Sequence, residues 1–168
     1  MSGVMATPRR YTGNKDAVHR QRREGTIAVY DWLRFLFGLQ GLGVFADRDT
    51  IGGPKPVKSV HATYRAMDLG GTPDQLKKTI DFVYRNRVAL GVEAIHDYAG
   101  NYIPNPKGWG AAYRCNRDFG RFFDGWKVYD KNTLGSRGAK WTHIEVSPKT
   151  ADMTRQQIDA IFTKLLEA

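Results

Sequence analysis

The chain has one cysteine, Cys115, so it has neither an internal disulfide nor a zinc–thiolate cluster, and its stability must come from packing. It has no uninterrupted apolar run near the ~20 residues that a membrane-spanning helix needs. Its most apolar stretch, residues 27–45, is broken by Asp31, Arg34 and the glycines at 38, 41 and 43. The N-terminus lacks the apolar core of a secretory leader, which predicts synthesis in a cytoplasm and export, if any, by another route. Acidic residues are scarce, 17 against 26 lysines and arginines, for a net charge of +9. Such an excess predicts attraction to a polyanion: nucleic acid, an acidic membrane surface or the anionic polymers of a bacterial wall. Repeats and low-complexity segments are absent. With 168 residues, 41% hydrophobic and 12% aromatic, the chain suits one folded domain with a single core, expected as a monomer.

Residues 1–24 are polar and basic, with Arg9, Arg10, Lys15, Arg20, Arg22 and Arg23 among few apolar anchors. They read as a solvated arm or as an electrostatic tether to a polyanion. Residues 26–39 have helical apolar spacing through Ile27, Tyr30, Leu33 and Phe37, and the glycines at 38, 41 and 43 end the helix. Residues 57–69 read as extended chain and loop. Thr72-Pro73-Asp74 opens a helix expected to run to about residue 90, where Gly91 is a stop signal. Residues 92–98 alternate as a strand, 99–138 read as irregular, and 141–147 read as a strand. Thr154 with Gln157 three residues on is a capping box that opens a last helix with Ile158, Ile161, Phe162 and Leu165 on its inner face.

Histidines are few, four in all, and two of them sit in suggestive company. His61 and Asp68 lie seven residues apart in a segment bounded by Gly70-Gly71, and His143 and Glu145 lie two apart in Trp141-Thr142-His143-Ile144-Glu145-Val146. Alternation puts Trp141, His143 and Glu145 on one face of a strand and leaves Thr142, Ile144 and Val146 for the core. Imidazoles with a carboxylate are a borderline-hard donor set that suits Zn²⁺, and three protein ligands leave a fourth position open for hydrolytic chemistry. Glu145 then has two possible roles: a base that moves a proton, or a group that orients a ligand histidine.

The run Ser59-Val60-His61-Ala62-Thr63-Tyr64-Arg65-Ala66-Met67-Asp68 resembles the Ser-x-His-x-x-x-x-Ala-x-Asp motif of the zinc D-Ala-D-Ala carboxypeptidase and L-Ala-D-Glu endopeptidase superfamily. That superfamily includes bacteriophage endolysin peptidases and shares its fold with the hedgehog signalling domain. The strand around His143 is similar to the family's second motif, and the order of elements matches. The resemblance implies an α+β fold, a small central antiparallel sheet flanked by helices, over residues 25–168 as one catalytic domain. It implies zinc held by His61, Asp68 and His143, and an upstream arginine, here Arg48, that binds the scissile carbonyl or a substrate carboxylate. The implied activity is hydrolysis of peptide bonds in bacterial peptidoglycan, as in phage-type wall lysis after release from the cell. The sequence departs from the family at Tyr64, where many members carry glycine. It departs again at Lys140, where many carry the catalytic acid. Glu145 is therefore the expected proton carrier, with Asp124 and Asp130 as fallbacks.

Trp141, His96 and Trp109 are candidates for gripping substrate, and the aromatics at 119, 122, 123 and 126 read as a groove wall or a small core. Two other readings compete. A basic nucleic-acid-binding protein or nuclease follows from the charge and interleaved aromatics, although no zinc finger, RNA-recognition or helix-turn-helix pattern is present. A non-catalytic wall-binding relative of the same fold follows from Lys140.

Overall fold

The last strand of the chain lies in the middle of the sheet, and this brings the two sequence motifs together. The computed structural model describes residues 9–50, 57–105, 109–117, 125–129 and 138–168. Among these residues the fold is α+β: a six-stranded antiparallel sheet with four α-helices. The strands are β1 (Gln40–Gly43), β2 (Ala66–Gly70), β3 (Val92–Asp97), β4 (Ala111–Arg114), β5 (Trp126–Val128) and β6 (Trp141–Val146). Their order in the sheet is β1-β2-β6-β3-β4-β5. The helices are α1 (Glu24–Phe37), α2 (Pro73–Arg85), α3 (Pro148–Ala151) and α4 (Arg155–Glu167).

Alternation along the strands divides the sheet into two chemistries. Met67, Leu69, Ile95, Tyr113, Ile144 and Val146 point to one face and pack with Leu33 of α1, Leu76 and Ile80 of α2, and Ile158 and Phe162 of α4. Trp32 lies flat on Phe162, with centroids 5.1 Å apart, and its indole N–H donates to Asp159, which ties α1 to α4. The opposite face carries the polar residues of the site.

The helices end where local chemistry dictates. Thr72 and Gln75 cap α2 reciprocally, and Thr154 and Gln157 do the same for α4. Gly38, at φ +66°, terminates α1. The sequence expectation for α2 overran: the helix ends at Arg85, and residues 86–91 form turns that bury Leu90. The 57–69 segment is more ordered than extended loop. Val60–Thr63 make a 3-10 turn, capped by the Ser59 side chain on the His61 N–H, which feeds directly into β2. The glycines at 41 and 43, read as helix terminators, belong to the edge strand β1, and β4 and β5 lie in the segment expected to be irregular. No helix among the described residues is long and apolar enough to cross a membrane.

Residues 9–16 lie against the sheet. The Tyr11 hydroxyl donates to Glu145, Thr12 donates twice to Glu93, and Arg9 N–H groups reach the carbonyls of Cys115 and Val92. Arg65, fully buried, gathers Asp16, Glu93 and the carbonyls of Val146 and Gly13 around one guanidinium.

Candidate metal centre

Strand register aligns three site residues in a single row across the sheet. Asp68 on β2 pairs with His143 on β6, which pairs with His96 on β3. The next row holds Ala66, Glu145, Ala94 and Arg114. His61 reaches the first row from its 3-10 turn. The rings of His61 and His143 meet edge to face, with centroids 4.9 Å apart, and His96 meets His143 in the same way at 5.2 Å. A cleft of about 230 Å³ opens over these rows, lined among others by Arg48, His61, Asp68, His96, Trp141, His143 and Glu145. Seven of the eight residues nominated from the sequence thus converge. Trp109, the eighth, is half-buried two residues before β4 and is not among the residues lining the cleft, because the β3–β4 pairing carries it past the end of the site rows. Asp124, Asp130 and the phenylalanines at 119, 122 and 123 lie outside the described residues.

The hydrogen bonds define what each imidazole can do. His61 Nδ1 lies 3.2 Å from the Val44 carbonyl, an acceptor only, so that nitrogen carries a proton and Nε2 is the atom turned toward Asp68. That Nε2 is buried, 3.2 Å from Asp68 Oδ2, and has no aligned hydrogen-bond partner. A buried lone pair facing a carboxylate is repulsive unless a cation or a proton lies between them. His143 donates from Nδ1 to Asp68 Oδ1 at 2.9 Å and from Nε2 to Glu145 Oε1 at 3.0 Å. Tyr11 holds the other oxygen of Glu145 at 2.8 Å. Donor atoms of His61, Asp68 and His143 all lie within 4.8 Å of one another, so the three residues present can hold one metal ion. A second trio, His96, His143 and Glu145, meets the same distance criterion but competes for His143. The orphaned Nε2 favours the first.

Electrostatics follow the contacts. Burial opposes charge on His143, but the bonds to Asp68 and Glu145 outweigh it and raise its pKa to about 9. Burial likewise opposes ionisation of Asp68, yet the two histidines hold it well below the usual carboxylate range. Burial dominates at His96, lowers its pKa to about 3 and keeps the ring neutral. For His143 the folded value lies above the ordinary 6.5, so its stabilising contribution is complete below pH 6.5 and is lost as pH rises toward about 9. The melting temperature of the metal-free chain is therefore expected to fall across that window. A metal ion held through His143 would remove the trend, because a ligand imidazole is already neutral. A metal-free melting curve that is flat or rising from pH 6.5 to 9 contradicts this reading.

The sequence did not point to Tyr11, Asn14, Tyr98 or Arg114, which also line the cleft. They come from three separate stretches, and no local spacing links them to the motifs. Tyr98 packs on Trp141 at 4.3 Å and walls one end. At the other end Tyr11 binds Glu145 and lies under Arg114. Tyr11→Phe keeps the ring and strips the hydroxyl from Glu145. Because Glu145 in turn orients His143, zinc affinity is expected to weaken about tenfold, measured by competition with a chromophoric chelator. Unchanged affinity would remove Tyr11 from the site.

Of the remaining sequence candidates, Arg48 is exposed, and Asp47, its neighbour, is taken by Arg20 and Lys58. Asp97 caps the following turn through the N–H groups of Asn101, Tyr102 and Ile103. Tyr64 is the sole non-glycine residue at positive φ among those described, at +59°, and Phe45 stacks on its ring. Lys140 lies beyond the cleft lining and bonds Gly71 through its carbonyl. No family model matches the chain, and no curated protein or solved structure matches it.

Proposed function

We propose that the chain is a zinc-dependent peptidase that hydrolyses peptide bonds in bacterial peptidoglycan, with the hedgehog/DD-peptidase type of fold. The observation that carries this reading is the His61–Asp68–His143 cluster with its unpartnered His61 Nε2. The left-handed Tyr64 adds support, since its backbone has the conformation glycine favours where many members of that superfamily carry glycine. The sheet supports it too, because β6 delivers the late histidine beside the early Asp68.

His61, Asp68 and His143 would hold the ion. Bound zinc supplies Lewis acidity toward a scissile carbonyl and makes water acidic near neutral pH. Glu145 does two things. Through Oε1 it fixes the His143 ring by accepting from Nε2. It is also the proton carrier. In the metal-free chain burial pushes the Glu145 carboxyl up, but hydrogen bonding and charge from His143 overcome that and hold it low. With His143 neutral its charge no longer lowers the carboxyl, while the hydrogen bonds from His143 Nε2 and Tyr11 hold it in place to take a proton. Arg48, with no carboxylate partner among the described residues, binds the substrate's carboxylate. Tyr98 and Trp141 flank the peptide. The net charge of +9 favours retention on anionic wall polymers. The nucleic-acid reading gains less from the basic arm than the sequence suggests, because Arg9 and Arg23 are engaged within the fold, while Arg20 and Arg22 make exposed ion pairs.

The test compares wild type with Glu145→Gln on purified peptidoglycan, reading free amino groups released. Glutamine still accepts from His143 Nε2 but takes no proton. The variant is expected to retain zinc and to lose activity by about 10²–10⁴-fold. Zinc-loaded wild type that leaves the walls intact would overturn the proposal.

A further inference from the structure

Two guanidiniums line the cleft with no carboxylate paired to either among the described residues: Arg48 and Arg114. The contrast with nearby arginines is informative. Arg65 is consumed by Asp16, Glu93 and two carbonyls, and Arg117 by the carbonyls of Ala112 and Gly125. Arg114 instead lies over the Tyr11 ring, 4.6 Å from its centroid, and its Nε is buried with no hydrogen-bond partner. A guanidinium carries five donors, and a buried donor left unmet costs free energy that an anionic ligand recovers. Stacking on an aromatic ring fixes its plane, and a fixed plane suits the two parallel hydrogen bonds that a carboxylate accepts.

Its place in the sheet separates it from Arg48. Arg114 pairs with Ala94, and Ala94 with Glu145, so about 10 Å of sheet separates the backbones of Arg114 and Glu145. The residue between them is alanine, and Tyr11 spans the space beside it, with its hydroxyl on Glu145 and its ring under Arg114. Arg48 enters from the segment whose Ala46 N–H and Arg48 carbonyl bond the His61 turn, on the β2 side. The metal ligands therefore lie between the two arginines. A divalent cation offsets Asp68 and Glu145, and the uncompensated charge of the cleft is then these two guanidiniums.

We propose that Arg114 binds a second substrate carboxylate, so that the cleft selects acidic peptides presenting one carboxylate to Arg48 and another to Arg114. The proposal rests on the metallopeptidase reading for its substrate class and deepens it. The experiment uses the full zinc-loaded chain and two peptides by isothermal titration: N-acetyl-L-Ala-γ-D-Glu-L-Lys with the glutamate α-carboxylate free, and the same peptide with that group amidated. Amidation is expected to weaken binding to wild type by about tenfold or more. Arg114→Gln is expected to bind both forms equally, and Arg114→Lys to recover part of the preference. Equal zinc content in all three proteins checks that the fold is intact. Equal or undetectable binding of both peptides to wild type overturns the proposal, as does a preference that survives in Arg114→Gln. The two readings fail separately: wall hydrolysis without the preference removes only the Arg114 assignment, and the preference without hydrolysis removes only the peptidase.

Discussion

Asp68→Ala is expected to weaken zinc binding by more than about 100-fold, the upper end for losing an outer partner of a metal ligand, and to abolish hydrolysis. The expectation follows from the number of contacts that converge on one carboxylate. Oδ1 takes the His143 Nδ1 proton at 2.9 Å and Oδ2 lies 3.2 Å from His61 Nε2, so Asp68 sets the spacing of both imidazoles. Alanine removes a ligand and the charge that opposes the cation, and leaves His143 without its acceptor. Because Asp68 is partly exposed at the mouth of the cleft, the protein is expected to fold, as circular dichroism would show. A folded variant with wild-type zinc affinity, measured against a competing chelator, would place the metal elsewhere.

The second large effect is on stability. Arg65→Leu is expected to cost about 3–5 kcal/mol, the range for breaking a buried ion pair by removing one partner. At ~2–4 °C per kcal/mol for a chain of this size, the melting temperature falls by about 10 °C. Arg65 is fully buried, donates to Asp16 and to the Val146 carbonyl at 3.0 and 2.7 Å, and is paired with Glu93, itself only 3% exposed. The same guanidinium ties residues 13–16 to β6 and β3, so its loss also loosens the stretch that brings Tyr11 to Glu145. Lysine offers one point charge in place of a five-donor fork and should recover only part of the loss. A fall of less than about 2 °C for Arg65→Leu would show that residues 9–23 are held by other contacts.

The sequence carried the parts of the site that local periodicity encodes. Strict alternation at 141–146 put His143 and Glu145 on one face and Ile144 on the other, and β6 is built that way. The Thr154–Gln157 capping box was readable because a cap is a four-residue pattern, and Thr72-Pro73-Asp74 was readable as a helix start, although its capping partner Gln75 was not singled out. Other parts were invisible for physical reasons. Strands β4 and β5 are four and three residues long, too short for alternation to register, and β1 contains two glycines that locally signal a helix end. The adjacency of Asp68 and His143 is a property of register across β2 and β6, seventy-five residues apart. Tyr11 and Arg114 belong to no motif, and only the closure of residues 9–16 over the sheet gives them a role. The burial of Arg65 was not legible, because it is decided by Asp16, Glu93 and the carbonyls of Gly13 and Val146, all distant in sequence.

The most direct measurement is a calorimetric zinc titration of the metal-free 168-residue chain at pH 7, run in two buffers of different ionisation enthalpy. Saturation at about one ion per chain is predicted. About one proton is released per ion, because His143, raised to about 9, must lose its proton to become a ligand. His61→Ala and His143→Ala should each abolish the saturable phase. Absence of saturable binding, or binding that both variants keep, would contradict the assignment of a metal centre to His61, Asp68 and His143.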